Sequence, residues 1–101
     1  MKAKFYIVLN MKRGKTFEAF GKFFIGNDRD FAYQLFSQLD GNESVRESDV
    51  LHMDLMETVD GLPVNIKMIN CRLEQLAANC RIITKEIFKA RSLDEIDGDE
   101  A

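Results

Sequence analysis

His52 and Asp54 are the two side chains of this 101-residue sequence whose types and spacing best fit a chemical site. They lie two residues apart in a segment of strand-like alternation, so both project from the same face of a sheet. An imidazole beside a carboxylate can act as a general base or as a metal ligand. His52 is the chain's only histidine, and one such pair is half of a site. A small enzyme or metal site at His52 and Asp54 therefore remains the alternative to an ordinary pair on a sheet surface.

The two cysteines, Cys71 and Cys80, add little to this chemistry. Zinc sites place ligand pairs two to four residues apart, whereas these thiols are nine residues apart. Cys80 falls on an apolar helical stripe and is predicted to be a core residue. Cys71 precedes that helix, where the helix dipole is expected to lower the pKa of its thiol. We expect both to be reduced thiols, because no export signal is recognisable.

No sequence motif supplies a cofactor or an activated nucleophile. Gly14, Gly21 and Gly26 form neither a GxxxxGKS/T nor a GxGxxG pattern before a helix, and no serine lies in GxSxG. The sequence therefore predicts no cofactor and no metal, and it favours a binding protein over an enzyme.

Four alternating segments are predicted to be strands that position these residues. Residues 2–11 and 16–25 alternate on either side of a turn at Gly14, and residues 50–58 and 64–68 flank the hairpin signal Asp60-Gly61. Gly21 predicts a bulge or a close approach by another element.

Two helices complete the predicted fold. The first is expected to begin after Asn27 as its N-cap, with Asp28 and Asp30 in its first turn and an apolar face from Phe31 to Leu39. Gly41 is expected to be its C′ residue. The second covers residues 73–90, in which an apolar seam repeats every three or four residues from Leu73 to Ile87.

The order strand, strand, helix, strand, strand, helix predicts an α+β two-layer sandwich, a four-stranded antiparallel sheet with two helices on one face. The helices are expected to cover Phe5, Ile7, Leu9, Phe17, Phe23, Leu51, Met53, Leu55, Val64, Ile66 and Met68.

Charge divides the chain into a body and a tail. The formal net charge is −3, but residues 92–101 carry five of the 17 acidic residues and no base. Residues 1–91 thus keep 12 acidic against 14 basic residues, a charge of about +2. We predict one domain over residues 1–91 and an acidic, disordered tail over residues 92–101. No apolar run approaches the roughly 20 residues of a membrane span, so we expect a cytoplasmic protein.

The first hairpin is basic and suggests an alternative function. Lys12, Arg13 and Lys15 surround its turn, and the aromatic residues Tyr6, Phe20 and Phe24 lie in its strands. Such a combination can neutralise and stack single-stranded nucleic acid. The chain's pI of about 5.1 argues against this reading, and lysines at hairpin ends also block edge-to-edge pairing of sheets.

An apolar cluster on the opposite side of the sheet gives the favoured function. Its residues are Tyr6, Val8, Phe20, Phe24 and Met56, with Ile69 at its border. Such a patch marks an interface or a ligand groove, and symmetric homodimers are the commonest oligomers. We therefore predict a domain that self-associates through this face, with His52 and Asp54 at or near the rim of the interface. Another protein or a small apolar ligand are the other predicted occupants.

Overall fold

The computed structural model describes residues 3–44 and 50–99, and it describes side chains as far as residue 91. The elements follow the predicted order: β1 (Lys4–Arg13), β2 (Thr16–Gly26), α1 (Arg29–Ser37), β3 (Leu51–Val59), β4 (Leu62–Cys71) and α2 (Leu73–Asp99). The four strands form one antiparallel sheet in the order β2-β1-β3-β4. The α+β class and the antiparallel sheet predicted from the sequence are confirmed.

Both predicted hairpin turns are present. Gly14 adopts a positive φ of 62° between β1 and β2, and Asp60 and Gly61 adopt φ values of 53° and 81° between β3 and β4. Two consecutive positive φ angles are the requirement of a type I′ turn, which matches the twist of the flanking strands. These turns bring each pair of neighbouring strands into antiparallel register.

A bulge at Gly21 changes which side chains of β2 face the core. The register shifts between Leu9, which pairs with Gly21, and Asn10, which pairs with Ala19. A Cβ at Gly21 would lie 2.9 Å from Cδ1 of Leu9, so the predicted close approach is confirmed. Because one extra residue reverses the alternation, Phe17 shares a face with Lys12. The prediction that Phe17 faces the core is therefore wrong.

A second register shift, between Leu55 and Met56, has the same effect in β4. Met68 pairs with Asp54, and Ile69 pairs with Met53. Ile69 is buried at 7% exposure, although the sequence placed it on the opposite face and Met68 in the core. Both predictions are wrong, because the bulge shifts the alternation of side chains along β4 by one residue.

Helix α1 begins one residue later and ends earlier than its sequence signals indicate. Asp28, not Asn27, is the N-cap, and its carboxylate accepts a hydrogen bond from the amide of Phe31 at 3.2 Å. The helix ends at Ser37 with Gln38 as its C-cap, so Gly41 is not its C′ residue. A Cβ at Gly41 would lie 2.8 Å from the carbonyl oxygen of Asn70. Gly41 is thus required by a close backbone approach to β4.

The hydrophobic core joins both helices to alternate residues of the sheet. Its buried members are Phe5, Ile7, Leu9, Ile25, Ala32, Leu35, Phe36, Met53, Leu55, Ile69, Leu76 and Ile83. The predicted seam of α2 is correct at Leu76 and Ile83, but Leu73 is 69% exposed. We call the face of the sheet that carries Phe5, Ile7, Leu9, Met53 and Leu55 the first face.

A buried asparagine, which the sequence analysis did not single out, ties α2 to the segment after α1. Asn79 is fully buried. Its Oδ1 accepts a hydrogen bond from the amide of Asp40 at 2.8 Å, and its Nδ2 donates to the carbonyl of the same residue at 2.8 Å. This two-point contact satisfies both backbone groups of one residue in a segment without regular structure.

Helix α2 continues to Asp99, so its backbone extends into the segment predicted as an acidic tail. The division into a domain and a disordered tail stays a prediction, because the side chains of residues 92–99 and all of residues 100–101 lie outside the described part. Residues 1–2 and 45–49, which belong to the predicted first strand and to a polar loop, lie outside it as well. Within the described ranges, neither helix has the length and apolar character needed to cross a membrane.

Candidate functional site

The side of the sheet opposite the first face carries most of the residues singled out from the sequence. We call it the second face and define it by Tyr6, Val8, Asn10, His52, Asp54 and Met56. The register pairs Tyr6 with Met56, Val8 with Asp54, and Asn10 with His52 across the central strands β1 and β3. Directly opposed residues of an antiparallel pair project to the same side. The two predicted groups, apolar and polar, therefore form one continuous surface.

Strand β2 extends the second face to the edge of the sheet. Phe24 pairs with Tyr6 and is 51% exposed, and Lys22 pairs with Val8. The ammonium group of Lys22 lies 4.8 Å from the centroid of the Tyr6 ring, a cation–π contact. Phe20 is 47% exposed and is the extra residue of the bulge, so it has no partner in the register of β1. Large aromatic surfaces thus remain accessible along this edge.

His52 is buried on the second face against an aromatic ring of β2. Its ring stacks on the ring of Phe17 with centroids 4.3 Å apart and an interplanar angle of 28°. It is only 6% exposed, and its Nε2 atom is buried without a hydrogen-bond partner. The sequence analysis missed Phe17 as part of this site, because the bulge that turns Phe17 to the second face could not be located from Gly21 alone.

Asp54 is half-buried, and its two carboxylate oxygens differ in their hydrogen bonding. Its Oδ2 accepts hydrogen bonds from Nδ2 of Asn10 at 3.1 Å and from Nδ2 of Asn65 at 3.2 Å. Its Oδ1 is buried and receives no hydrogen bond. Burial raises the pKa of Asp54 above its ordinary value, while the charge of nearby His52 and the hydrogen bond from Asn65 partly oppose that rise. Desolvation disfavours the ionised form, so this carboxylate lacks part of the stabilisation that water provides.

Asn70 completes the polar part of the second face. It pairs with His52 in the sheet and is 5% exposed. Its side-chain Nδ2 donates to the carbonyl of Ser44, and its backbone forms an isolated bridge with Asn42. Its Oδ1 atom is buried and unpaired. His52, Asp54 and Asn70 thus each hold one buried polar atom whose hydrogen-bonding capacity is unused, which is unusual in a folded protein.

The residues that the structure describes place no recognisable metal-binding cluster around His52 and Asp54. Within the described residues no group of three or more His, Cys, Asp or Glu side chains is arranged to hold a metal ion. The pairing of one imidazole with one carboxylate can accept or donate protons. Among the residues that the structure describes, the side chains that donate hydrogen bonds to Asp54 are the amides of Asn10 and Asn65.

Both cysteines are free thiols, and neither is activated. The expectation of a lowered pKa at Cys71 is wrong, because burial raises the pKa of its thiol from 9.0 to about 11. The thiol lies 3.6 Å from the carbonyl oxygen of Asp40, to which it donates, and beside the amide of Asn79. Burial also raises the pKa of Cys80. At neutral pH neither residue supplies a thiolate.

The basic hairpin places its three predicted nucleic-acid contacts in different surroundings. Arg13 forms an exposed ion pair with Glu18 at 2.9 Å. Lys12 projects from the second face opposite Phe17, and Lys15 is exposed next to the Gly14 turn. Only Lys12 therefore shares a face with the exposed aromatic residues of β2.

Searches against protein-family models, curated proteins and solved structures find no match to this chain. The function must therefore be argued from the residues themselves.

Proposed function

We propose that this protein is a non-enzymatic interaction domain that forms a homodimer through the second face of its sheet. The observation that carries the proposal is the accessible aromatic edge of that face. Phe24 and Phe20 are each about half exposed, and they adjoin Tyr6, Val8 and Met56, which are only partly buried. Contiguous apolar surface of this kind is uncommon on a monomer and marks an interaction site.

The proposed architecture explains why this surface needs a partner. We place both helices on the first face, in two layers. Their recorded contacts support this placement: Tyr33 of α1 packs edge-on against Phe5 with ring centroids 6.5 Å apart, and Asn79 of α2 contacts the sulfur of Met53 at 3.4 Å. In a two-layer fold the other face of the sheet meets solvent and is expected to be polar. An aromatic second face is thus better suited to a buried interface.

The apolar surface of the second face supports a dimer energetically. A large apolar side chain contributes roughly 1.5–3 kcal/mol when it passes from full exposure to full burial, and about half of that when, like Phe20 and Phe24, it is already about half buried. A two-fold interface buries every residue of the cluster twice, because the same patch is used by both subunits. Several such side chains offset the roughly 4–15 kcal/mol that association costs in translational and rotational freedom.

The test measures the molar mass of the protein in solution. Light scattering coupled to size exclusion at tens of micromolar is expected to give twice the chain mass for the wild type. Phe24→Glu should give the monomer mass, because it places a charge within the apolar patch. Phe88→Glu is the matched control, since Phe88 is 70% exposed on α2 and lies away from the second face. A monomeric wild type, or dissociation caused by Phe88→Glu and not by Phe24→Glu, would refute the proposal.

A second candidate function, binding of single-stranded nucleic acid, is favoured by one observation. Phe17 is 46% exposed and shares the second face with Lys12 and Lys22, so a base could stack beside two cations. This function predicts binding that weakens steeply with salt. It also predicts that neutralising Lys12, Arg13 and Lys15 together weakens the binding.

The proposed setting is the cytoplasm, where both thiols stay reduced. No cofactor or metal is part of the proposal. The second face could instead bind a different protein or a small apolar ligand. The mass measurement distinguishes both from a homodimer, because both leave the purified chain monomeric.

A further inference from the structure

Two rows of side chains cross the second face, and each row is centred on β1. One row contains Phe24 on β2, Tyr6 on β1 and Met56 on β3. The next contains Lys22 on β2, Val8 on β1 and Asp54 on β3. Strand β1 lies between β2 and β3 in the sheet. Each row therefore has an apolar residue in the middle, and the second row has opposite charges at equal distances on either side.

Two sheets that meet face to face can be related by a two-fold axis that runs either along the strands or across them. An axis along β1 places β2 of one subunit over β3 of the other, so Lys22 faces Asp54 and Phe24 faces Met56. An axis across the strands places each strand over its own copy, so Lys22 on β2 cannot meet Asp54 on β3 in any row. In the row of Val8 such an axis places Lys22 over Lys22 and Asp54 over Asp54. Like charges at an interface cost several kcal/mol, whereas opposite charges fix the register. Charge complementarity therefore selects the axis along β1.

The twist between packed sheets does not break this register. Aligned sheets pack about 10 Å apart and cross at about 30°. A residue on β2 or β3 lies one strand spacing, about 4.8 Å, from the axis. The crossing angle therefore displaces it by roughly 2–3 Å relative to the facing residue of the other sheet. Successive rows are about 7 Å apart, more than twice that displacement. The extended side chain of a lysine together with that of an aspartate spans the gap between the sheets.

In the single chain, the ammonium group of Lys22 and the carboxylate of Asp54 can each form a further ionic contact. Lys22 is exposed, its ammonium group rests on the Tyr6 ring, and it forms no ion pair with any residue that the structure describes. An ionised carboxylate has about four acceptor positions, and Asp54 accepts two hydrogen bonds, from Asn10 and Asn65. Its carboxylate can therefore accept a further bond from an incoming ammonium group.

We infer that the occupant of the second face is a second copy of this chain, docked with its two-fold axis along β1 so that Lys22 of each subunit pairs with Asp54 of the other. This inference rests on the proposed function and specifies its geometry. Strand β3 is central in the sheet, so Asp54 lies inside the interface and not at its rim. The raised pKa of Asp54 fits this role, because burial makes its carboxylate costly in the single chain and an ion pair offsets that cost.

The experiment exchanges the charges and follows the mass of the protein in solution. Lys22→Asp places two carboxylates at each contact, and Asp54→Lys places two ammonium groups there. Each variant alone is expected to weaken dimerisation by about a hundredfold or more, because like charges replace opposite ones. An equimolar mixture of the two variants restores both contacts and should form a heterodimer. The double variant Lys22→Asp/Asp54→Lys should dimerise with itself.

The control is Lys85→Asp, which reverses an exposed lysine on α2 and should leave the dimer intact. A dimeric wild type that Phe24→Glu dissociates, but that both single charge variants leave unchanged, would overturn the inferred register and keep the proposed function. The register would also be overturned if each single charge variant is monomeric and neither the equimolar mixture nor the double variant forms a dimer. A monomeric wild type whose second face binds a single-stranded oligonucleotide or an apolar dye would overturn both proposals. Circular dichroism of every variant shows whether it is folded.

Discussion

Replacement of Asn79 tests whether the two-point contact with Asp40 stabilises the connection between α1 and β3. In Asn79→Ala the amide of Asp40 loses its acceptor at 2.8 Å. The carbonyl of Asp40 loses one donor but keeps the thiol of Cys71 at 3.6 Å. Leaving one backbone donor unsatisfied costs about 1–3 kcal/mol. The small void left by a fully buried side chain adds a smaller amount, so the expected loss is roughly 2–4 kcal/mol.

The effect is large enough to measure by urea and thermal unfolding. One kcal/mol lowers the midpoint temperature of a domain this size by about 4–8 °C, so Asn79→Ala should lower it by roughly 8–32 °C. The slope of the urea transition should stay the same, because the surface exposed on unfolding hardly changes. Asn27→Ala is the matched control, since Asn27 is exposed and makes no recorded side-chain hydrogen bond.

A second substitution at the same position separates hydrogen bonding from packing. Asn79→Asp keeps the acceptor for the Asp40 amide but replaces the donor with an oxygen that faces the Asp40 carbonyl. It also buries a charge, so it should destabilise the protein more than Asn79→Ala does. If Asn79→Asp unfolds like the wild type, or if Asn79→Ala matches Asn27→Ala, the contact with Asp40 does not stabilise the fold.

Three further perturbations follow from the burial of individual groups. Ile83→Asp puts an unpaired charge at a fully buried position and should remove several kcal/mol of a total stability of roughly 5–15 kcal/mol; an unchanged midpoint in urea would contradict the assigned core. In a Cys80→Ala background, the Cys71 thiol, whose pKa is about 11, should react slowly with a disulfide reagent at pH 8 and faster as the pH approaches 11; rapid reaction of the folded protein at pH 8 would refute its burial. Asp54→Asn, measured in the monomeric Phe24→Glu background, should raise the free energy of unfolding at pH 7. The folded-state pKa of Asp54 lies above its ordinary value, so ionisation of this carboxylate reduces stability as the pH rises through that pKa. If Asp54→Asn does not raise the free energy of unfolding at pH 7, the carboxylate is not desolvated.

The elements of the fold could be predicted because their signals are local. The turns at Gly14 and Asp60-Gly61 need positive φ angles that few other residues adopt, and the apolar spacing around Ile83 fits only a helix with one buried side. The strand order β2-β1-β3-β4 could not be predicted, since nothing local specifies which edges of two hairpins meet. For that reason the position of Asp54 on a central strand of the sheet could not be predicted either.

The site was found in part, and its missing members share one physical cause. His52 and Asp54 were identified from their chemistry and their two-residue spacing, which a regular strand translates directly into one face. Asn70 could not be associated with them, because its position opposite His52 depends on the register shift between Leu55 and Met56. The lowered pKa expected for Cys71 was wrong for a similar reason. Proximity to a helix start is visible in the sequence, but burial beside Asp40 and Asn79 is a tertiary property, and here it dominates.

The bulge at Gly21 links the fold to the proposed interface. Phe17 and Phe24 are seven residues apart, so in an uninterrupted strand they would project to opposite faces. The extra residue in β2 reverses the alternation between them, and both reach the second face, where Phe17 stacks on His52 and Phe24 adjoins Tyr6. Beside the extra residue, a Cβ at Gly21 would stand 2.9 Å from Cδ1 of Leu9, so glycine leaves room for this buried core side chain. The bulge in β2, and not the parity of its sequence, thus decides which aromatic rings share the second face.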